Sequence, residues 1–380
     1  MTGRALRDGG LVVDLSGLRR VEVDPQARTA TVAGGATTGD VVAAGRPYAL
    51  AVPTGVVRAV GMAGLTLAGG YGPLNGRYGL ALDNLLSAEL VLADGRRVTA
   101  SPDADAELFW AIRGGGGNFG VVTGLTYRLH PLATVLAGMI MFPLVQAASV
   151  LRGYGAFLAA GPDEITVMAG FLCGPDGQTV LFLCPFYSGE DLRTGERLIA
   201  SLQSLGKPVM SQIAPMAYDD ALGMFDNGMA DGNHYQLRTR WLPALSEEAA
   251  EVLIDTAGRI TSPHSGLALH HFHGAATRPD RGDTAFALRE EHLLVEIIAA
   301  WTSSEADGVH REWADRASRL LAPMSLPGGY PNLLGPDDHE RVRLSYQDAG
   351  QCSALQGGGE GPRGRAARPE RALNRAVLLL

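Results

Sequence analysis

Cysteine is scarce in this chain: Cys173, Cys184 and Cys352 are the whole complement of 380 residues. Three thiols without ligand spacing make neither a disulfide framework nor a metal or redox pair, so no metal is expected. Positive charge is short as well. A formal net charge of −8 and a pI of 5.6 leave no basic surface for phosphates. That argues against a nucleic-acid partner, and it gives no help on an anionic membrane. No stretch is long and apolar enough to span a bilayer. The opening Met1-Thr2-Gly3-Arg4-Ala5-Leu6 lacks the apolar run of a secretory leader, so a cytoplasmic location is expected.

What the chain has in excess is glycine. Fifty glycines are about 13% of the residues, against a usual share of roughly 7%. They gather in the first third, where the backbone must turn sharply or approach something closely. Apolar residues at 46% and charged residues at 19% describe a globular protein, and the length suggests two domains or one with a large insertion.

A compact apolar run predicts a strand at 11–15 and period-two patterns predict strands at 20–24 and 29–33, with a short helix opening at Thr38-Gly39-Asp40. A hairpin is expected over 88–100 around Asp94-Gly95, then a helix over 105–112 and a strand over 121–129. After Pro131 glycine thins. Helices such as 147–158 and one starting at Ser246 alternate with strands such as 179–183 and 267–272, which reads as a sheet covered by helices. The run 61–72, Gly-Met-Ala-Gly-Leu-Thr-Leu-Ala-Gly-Gly-Tyr-Gly, is too glycine-rich for a free-standing helix and suits backbone N–H groups that face a ligand. From Gln347 the chain turns Gly-, Ala- and Arg-rich, and a disordered tail is expected over 347–380.

Five pieces, in order, carry a family resemblance: Val12-Val13-Asp14-Leu15-Ser16; Pro53-Thr54-Gly55; Gly61 to Gly70; Tyr78 to Asn84; and Asp105 to Thr123, which contains Arg113-Gly114-Gly115-Gly116-Gly117-Asn118-Phe119-Gly120. Together they resemble the FAD-binding domain of the berberine-bridge-enzyme-like branch of the vanillyl-alcohol-oxidase/PCMH flavoproteins. Tyr330-Pro331-Asn332-Leu333 resembles the Tyr-x-Asn stretch that opens that family's C-terminal segment. The resemblance implies an α+β fold: a partial PCMH-type FAD-binding domain over 1–133, and a substrate domain over 134–326 with an antiparallel sheet covered by helices. The C-terminal segment would start over 327–346.

By the same resemblance FAD is the cofactor, held by Pro53, Thr54, Gly55, Gly61, Met62, Ala63, Gly64 and Thr66. Asn118, Gly120, Val121 and Val122 would line its adenine and ribose end, and Asn332 would lie beside the flavin ring. Tyr330 is the implied general base, which would need a nearby donor or cation because a tyrosine starts near pKa 10. The implied reaction takes hydride from an alcohol, sugar or secondary-metabolite C–H to flavin N5, with O2 as electron acceptor and a small molecule as substrate. An NADPH-dependent reductase on the same scaffold is the alternative enzyme. A non-catalytic remnant unable to retain FAD is the alternative outside enzymes.

The chain departs from the family pattern in three places. The family's Arg-x-Gly-Gly-His-like pyrophosphate loop, with its attachment histidine, precedes the Val12–Ser16 strand, and here the first histidine is His130. The position that is cysteine in doubly linked members is Val57, so FAD is expected to be non-covalent. The family's closing helix and aromatic run have no counterpart after Tyr346. Bland readings compete elsewhere. The 114–117 loop is followed by a strand, which does not fit a Rossmann fingerprint, and it has no P-loop Gly-Lys-Ser/Thr. On a strand His271 and His273 share a face while His270 points away, and ordinary packing outweighs a metal site there.

Overall fold

The computed structural model describes residues 9–346, apart from 175, 227–229, 281 and 336–337. The first eight residues and the 347–380 tail, Cys352 included, lie outside the described residues. The first third of the chain forms strands β1 (Val21–Asp24), β2 (Thr29–Ala33), β3 (Leu50–Ala51), β4 (Leu85–Val91), β5 (Arg97–Ala100), β6 (Val121–Arg128) and β7 (His130–Pro131). Five of them make an antiparallel sheet in the order β1-β2-β6-β4-β5, and β3 pairs with β7. The alternation read in the sequence is used as expected: in β2, Ala30 and Val32 are buried and Thr31 is exposed. Leu11–Leu15 differs from expectation. It forms no strand, because nothing among the described residues pairs with it, and Leu11 and Val12 stand exposed.

The second sheet has seven antiparallel strands: β8 (Val135–Pro143), β9 (Ile165–Cys173), β10 (Thr179–Tyr187), β11 (Met210–Met216), β12 (His234–Leu242), β13 (Gly266–Phe272) and β14 (His292–Trp301), in the order β11-β8-β10-β9-β13-β14-β12. Helices cover one face. Ala147–Ala160 buries Ala147, Val150, Leu151 and Tyr154, the i, i+3, i+4, i+7 stripe of an amphipathic helix. Glu247–Gly258 starts at Ser246, whose side chain accepts from Ala249 N–H at 3.1 Å, as an N-cap should. Asp307–Leu321 adds Trp313, Ala314 and Leu321 to the same core. The expected α+β architecture of antiparallel sheets with covering helices is therefore present.

The other face of the seven-stranded sheet looks onto residues 42–82 of the first part: Leu74 and Ala51 pack with Met168 and Phe182, and Tyr71 packs with Trp241 and Phe272. Polar links cross this seam. Arg289 holds Asp83 through two bonds of 2.8 and 2.9 Å, and also donates to Ala276 O and Thr284 Oγ1. Both side chains are buried, so each charge relies on the other. Nearer the surface, Arg46 pairs with Asp219 and Asp220, and Arg58 with Asp219 and Asp226.

Two predictions follow from the seam and its buried histidines. Arg289→Met leaves Asp83 buried without its partner and should cost about 3–5 kcal/mol, measured by urea unfolding; an unchanged midpoint would show the pair to be dispensable. Burial also pulls His130 and His271 down to about 4, and His273 and His292 down to about 3. Their folded pKa values lie below the unfolded one, so the unfolded chain binds protons first. Stability should be complete above about pH 6.5 and decline as pH falls from there toward about 4. Melting temperatures recorded between about pH 7.5 and about pH 5 check this, and a flat profile would contradict neutral burial.

Candidate functional site

Between the backbone of residues 55–65 and the open face of the seven-stranded sheet lies a cavity of about 520 Å³, within the size range of ligand pockets. Gly55, Val56, Val57, Val60 and Leu65 form one wall. The sheet supplies the opposite wall with Met168, Leu172, Phe182, Leu294 and Ile298, while Tyr71, Tyr330 and Asn332 also border the space. At Gly61 an added Cβ would meet nothing within 4 Å, so the backbone there borders open space. The helix that follows, Met62–Leu67, has no side-chain cap at its N-terminus. Its first N–H, that of Met62, donates instead to Ala36 O at 2.9 Å.

Local geometry fixes the tyrosines. Gly69 and Gly70 adopt φ of 138° and 93°, a conformation that side-chain-bearing residues rarely take. Gly70 N–H then donates to Tyr330 Oη at 3.1 Å. Any Cβ at Gly69 would press on Phe286 and Tyr330 at 3.1 Å. Tyr330 and Tyr71 pack edge to face, centroids 4.8 Å apart. The Tyr71 hydroxyl donates to His292 Nε2 at 2.7 Å, because the other ring nitrogen faces Glu290 O at 2.7 Å and must carry the proton. Burial pushes Tyr330 up to about 12 against the pull of the Gly70 N–H, and nearby Glu296 raises it further. Asn332 Nδ2 donates to Gly64 O at 3.1 Å, tying the 330–333 segment to the cavity wall.

The residues named from the sequence divide in two. Gly55, Tyr330 and Asn332 border the cavity, with Val57 beside them. Gly61 and Gly64 flank the wall, Gly61 at the open backbone and Gly64 through its bond to Asn332. The others are not part of the lining. Thr54 is buried with its hydroxyl 3.0 Å from Tyr218 Oη. Met62 and Ala63 belong to the core of the first sheet. Thr66 Oγ1 bonds Met62 O and Tyr127 Oη at 2.8 and 2.7 Å. Val121 and Val122 sit in β6, Val122 in its core, and Asn118 and Gly120 lie in the turn before it. Pro53 is buried behind the wall.

Two residues stand in the cavity that the sequence did not assign to a site: Glu296, which it left unremarked, and His270, which it read as packing. Glu296 and His270 both line it, with His270 Nε2 3.5 Å from Glu296 Oε1. A signal for Glu296 was present: it is the one acid inside β14, His-Leu-Leu-Val-Glu-Ile-Ile-Ala-Ala-Trp, and a charge in the middle of a buried apolar strand calls for a reason. His271 and His273, on the opposite side of β13 from His270, stack at 4.1 Å and 2°. Their Nε2 atoms are 3.0 Å from Glu291 and 3.1 Å from Thr166. They serve packing.

A family model described as FAD binding domain matches residues 1–101. The chain is 29% identical over 343 residues to an FAD-linked oxidoreductase of Dictyostelium discoideum, covering 89% of this chain and 74% of that protein. It is 37% identical over 240 residues to (R)-6-hydroxynicotine oxidase of Paenarthrobacter nicotinovorans, covering 60% of this chain but only 52% of that enzyme. Among solved structures, 6-hydroxy-D-nicotine oxidase from Arthrobacter nicotinovorans superposes with a TM-score of 0.81 at 29% identity, over 93% of this chain and 80% of that one. BBE-like 1 of Physcomitrella patens, as the D396N variant, shares the fold with a TM-score of 0.82 at 22% identity, over 92% of this chain and 79% of that one. With its antiparallel sheets, covering helices and glycine-walled cavity, the chain shares the fold of these flavoproteins and is similar in sequence to FAD-linked oxidoreductases, with an FAD binding domain match at its start.

Proposed function

We propose that the cavity is the active site of an FAD-dependent oxidase, acting on a C–H bond of an alcohol, sugar or secondary metabolite and using O2 as electron acceptor. The observation that carries this reading is Glu296, the one carboxylate among the described lining residues, in a cavity whose opposite wall is the glycine-rich 55–65 backbone. Bound FAD would supply the hydride acceptor and, reoxidised by oxygen, hydrogen peroxide as second product. Gly55, Gly61 and Gly64 would hold it through backbone approach, with Asn332 and Tyr330 beside it. Val57 offers no nucleophile in that wall, which supports non-covalent binding. In this reading residues 1–133 bind the cofactor, 134–326 bind the substrate, and 327–346 close the site.

A substrate that gives up hydride must also give up a proton. Glu296 lines the cavity, with His270 Nε2 3.5 Å away as its contact among the described residues, so it is placed to take that proton. Tyr330 is less suited to the task. Its oxygen already accepts from Gly70 N–H, and burial holds it protonated. Its hydroxyl is better suited to donate into the cavity.

The first measurement is the visible spectrum of the purified protein, before and after precipitation. A yellow protein that releases its colour supports non-covalent FAD; colour that stays in the pellet overturns it, and a colourless protein that FAD does not restore overturns the flavin reading. Oxygen consumption without NADPH separates an oxidase from a reductase. Glu296→Gln should lower kcat/KM by about 10²–10⁴-fold with FAD content unchanged. Tyr330→Phe should cost about tenfold or less. The reverse order would identify Tyr330 as the base.

A further inference from the structure

Beside the main cavity lies a much smaller chamber of about 10 Å³, bordered by Val56, Asn75, Thr166, Met168, His270 and His271. That is room for about one water molecule. Its origin lies in the strands. β13 pairs with β9 from Leu267 to Leu269 and then leaves it. Asn75 takes over, donating from Nδ2 to His271 O at 2.8 Å. Consecutive strand residues point to opposite faces, but a gap opened at the strand's edge is within reach of both His270 and His271. Val56, Met168 and His270 border the large cavity as well, so these residues form the partition between the two.

Polar groups mark a line through the gap. Glu296, its side chain only 15% exposed, stands 3.5 Å from His270 Nε2, which is buried and has no hydrogen-bond partner among the described residues. At the other end His271 Nε2 lies 3.0 Å from Glu291 Oε1, and the Glu291 side chain is 56% exposed. A carboxylate only accepts, so His271 Nε2 carries the proton and Nδ1 bears the lone pair. That Nδ1 is buried and unpartnered among the described residues, and stacking on His273 leaves it so. A buried acceptor without a donor costs free energy, and a water in the chamber that donates to it removes the cost.

We infer that the small chamber holds a water that completes a proton passage from the cavity to solvent, running through Glu296, His270, the water, His271 and Glu291. The proton's source rests on the proposed oxidase reading. A base that takes a proton from substrate must be returned to carboxylate, and the passage does this without using the mouth of the cavity. Glu296 O–H gives its proton to His270 Nε2 while His270 Nδ1–H gives one to the water. The water gives one to His271 Nδ1, and His271 Nε2–H gives one to Glu291, which releases it. Only O–H and N–H bonds form and break, and no electron moves. Burial keeps His271 neutral, so it accepts at one nitrogen only as it releases at the other. Reduction of O2 to hydrogen peroxide takes up one proton beyond the hydride equivalent of reduced FAD. The same line brings that proton inward and restores both ring tautomers.

Neutron diffraction from crystals of the full chain, as purified and exchanged into D2O, reads the line directly. It should show a water in the chamber, hydrogen-bonded to His271 Nδ1 and to a ring nitrogen of His270, with His271 deuterated at Nε2 alone. A dry chamber, or a deuteron on His271 Nδ1, overturns the inference whether or not the chain takes up FAD. The second measurement loads the chain with FAD, reduces it with dithionite under nitrogen and follows reoxidation by O2 in H2O and in D2O. Glu291→Gln and His271→Gln should slow reoxidation about tenfold or more and enlarge the solvent isotope effect. Glu291→Asp, which keeps a carboxylate, should stay near wild type, a distinction that packing alone would not make. Glu291 is exposed, so its variants fold even where those of His271 do not. Wild-type rates and isotope effects in Glu291→Gln overturn the passage and leave the oxidase reading standing. A chain that takes up no FAD, or whose reduced FAD is inert to O2, sinks the oxidase reading, and the neutron result then decides the passage by itself.

Discussion

The bidentate pair between Asp83 and Arg289 is the interaction on which the rest of this architecture depends. It joins two residues 206 positions apart, one from the glycine-rich first third and one from the loop that leads into β14. The Asp83 carboxylate also accepts Leu80 N–H at 2.9 Å, so the same group caps its own loop and anchors the opposite part. A guanidinium with little access to water and a planar carboxylate tolerate little error in distance or tilt. Fixing that contact fixes where the two sheets face each other. The cavity is what remains between them, and its shape follows from the pair.

Much of the family signature turns out to serve that seam. Asn84 donates to Tyr78 O and Leu80 O and its carbonyl accepts from His130. The Tyr78–Asn84 motif is therefore a lock between loop and sheet. Gly114, at φ 116°, leaves room for Phe286, whose backbone nitrogen would lie 2.2 Å from an added Cβ. The glycine loop of residues 114–117 thus admits a neighbouring segment as well as any nucleotide. In a small interface, residues that shape the backbone for a ligand and residues that let two domains close are drawn from the same stock.

The sequence was a good guide to local elements and a poor one to the site. Strands with strict alternation, such as β2, and helices with a clear cap, such as the one begun by Ser246, were legible because their information is local. The short helix Met62–Leu67 was not. Its glycine content disfavours helix, and only burial on nearly every side holds it. Leu11–Leu15 erred in the other direction, since a strand pattern makes a strand only when a partner is there to pair with it. Tyr330 and Asn332, named from the family motif, border the cavity. Glu296 and His270 were hidden because their meeting depends on strand register, and no spacing along the chain encodes that.

The Gly70–Tyr330 hydrogen bond spans 260 positions, and this has a bearing on how the molecule comes to exist. A chain made from its N-terminus exposes the 55–65 wall long before the segment that closes over it has been synthesised. Contacts of such sequence separation form late and slowly. The nascent protein therefore passes through a stage in which an apolar trough stands open to water and to its neighbours. A ligand that docks against that wall early would shield it through the rest of synthesis.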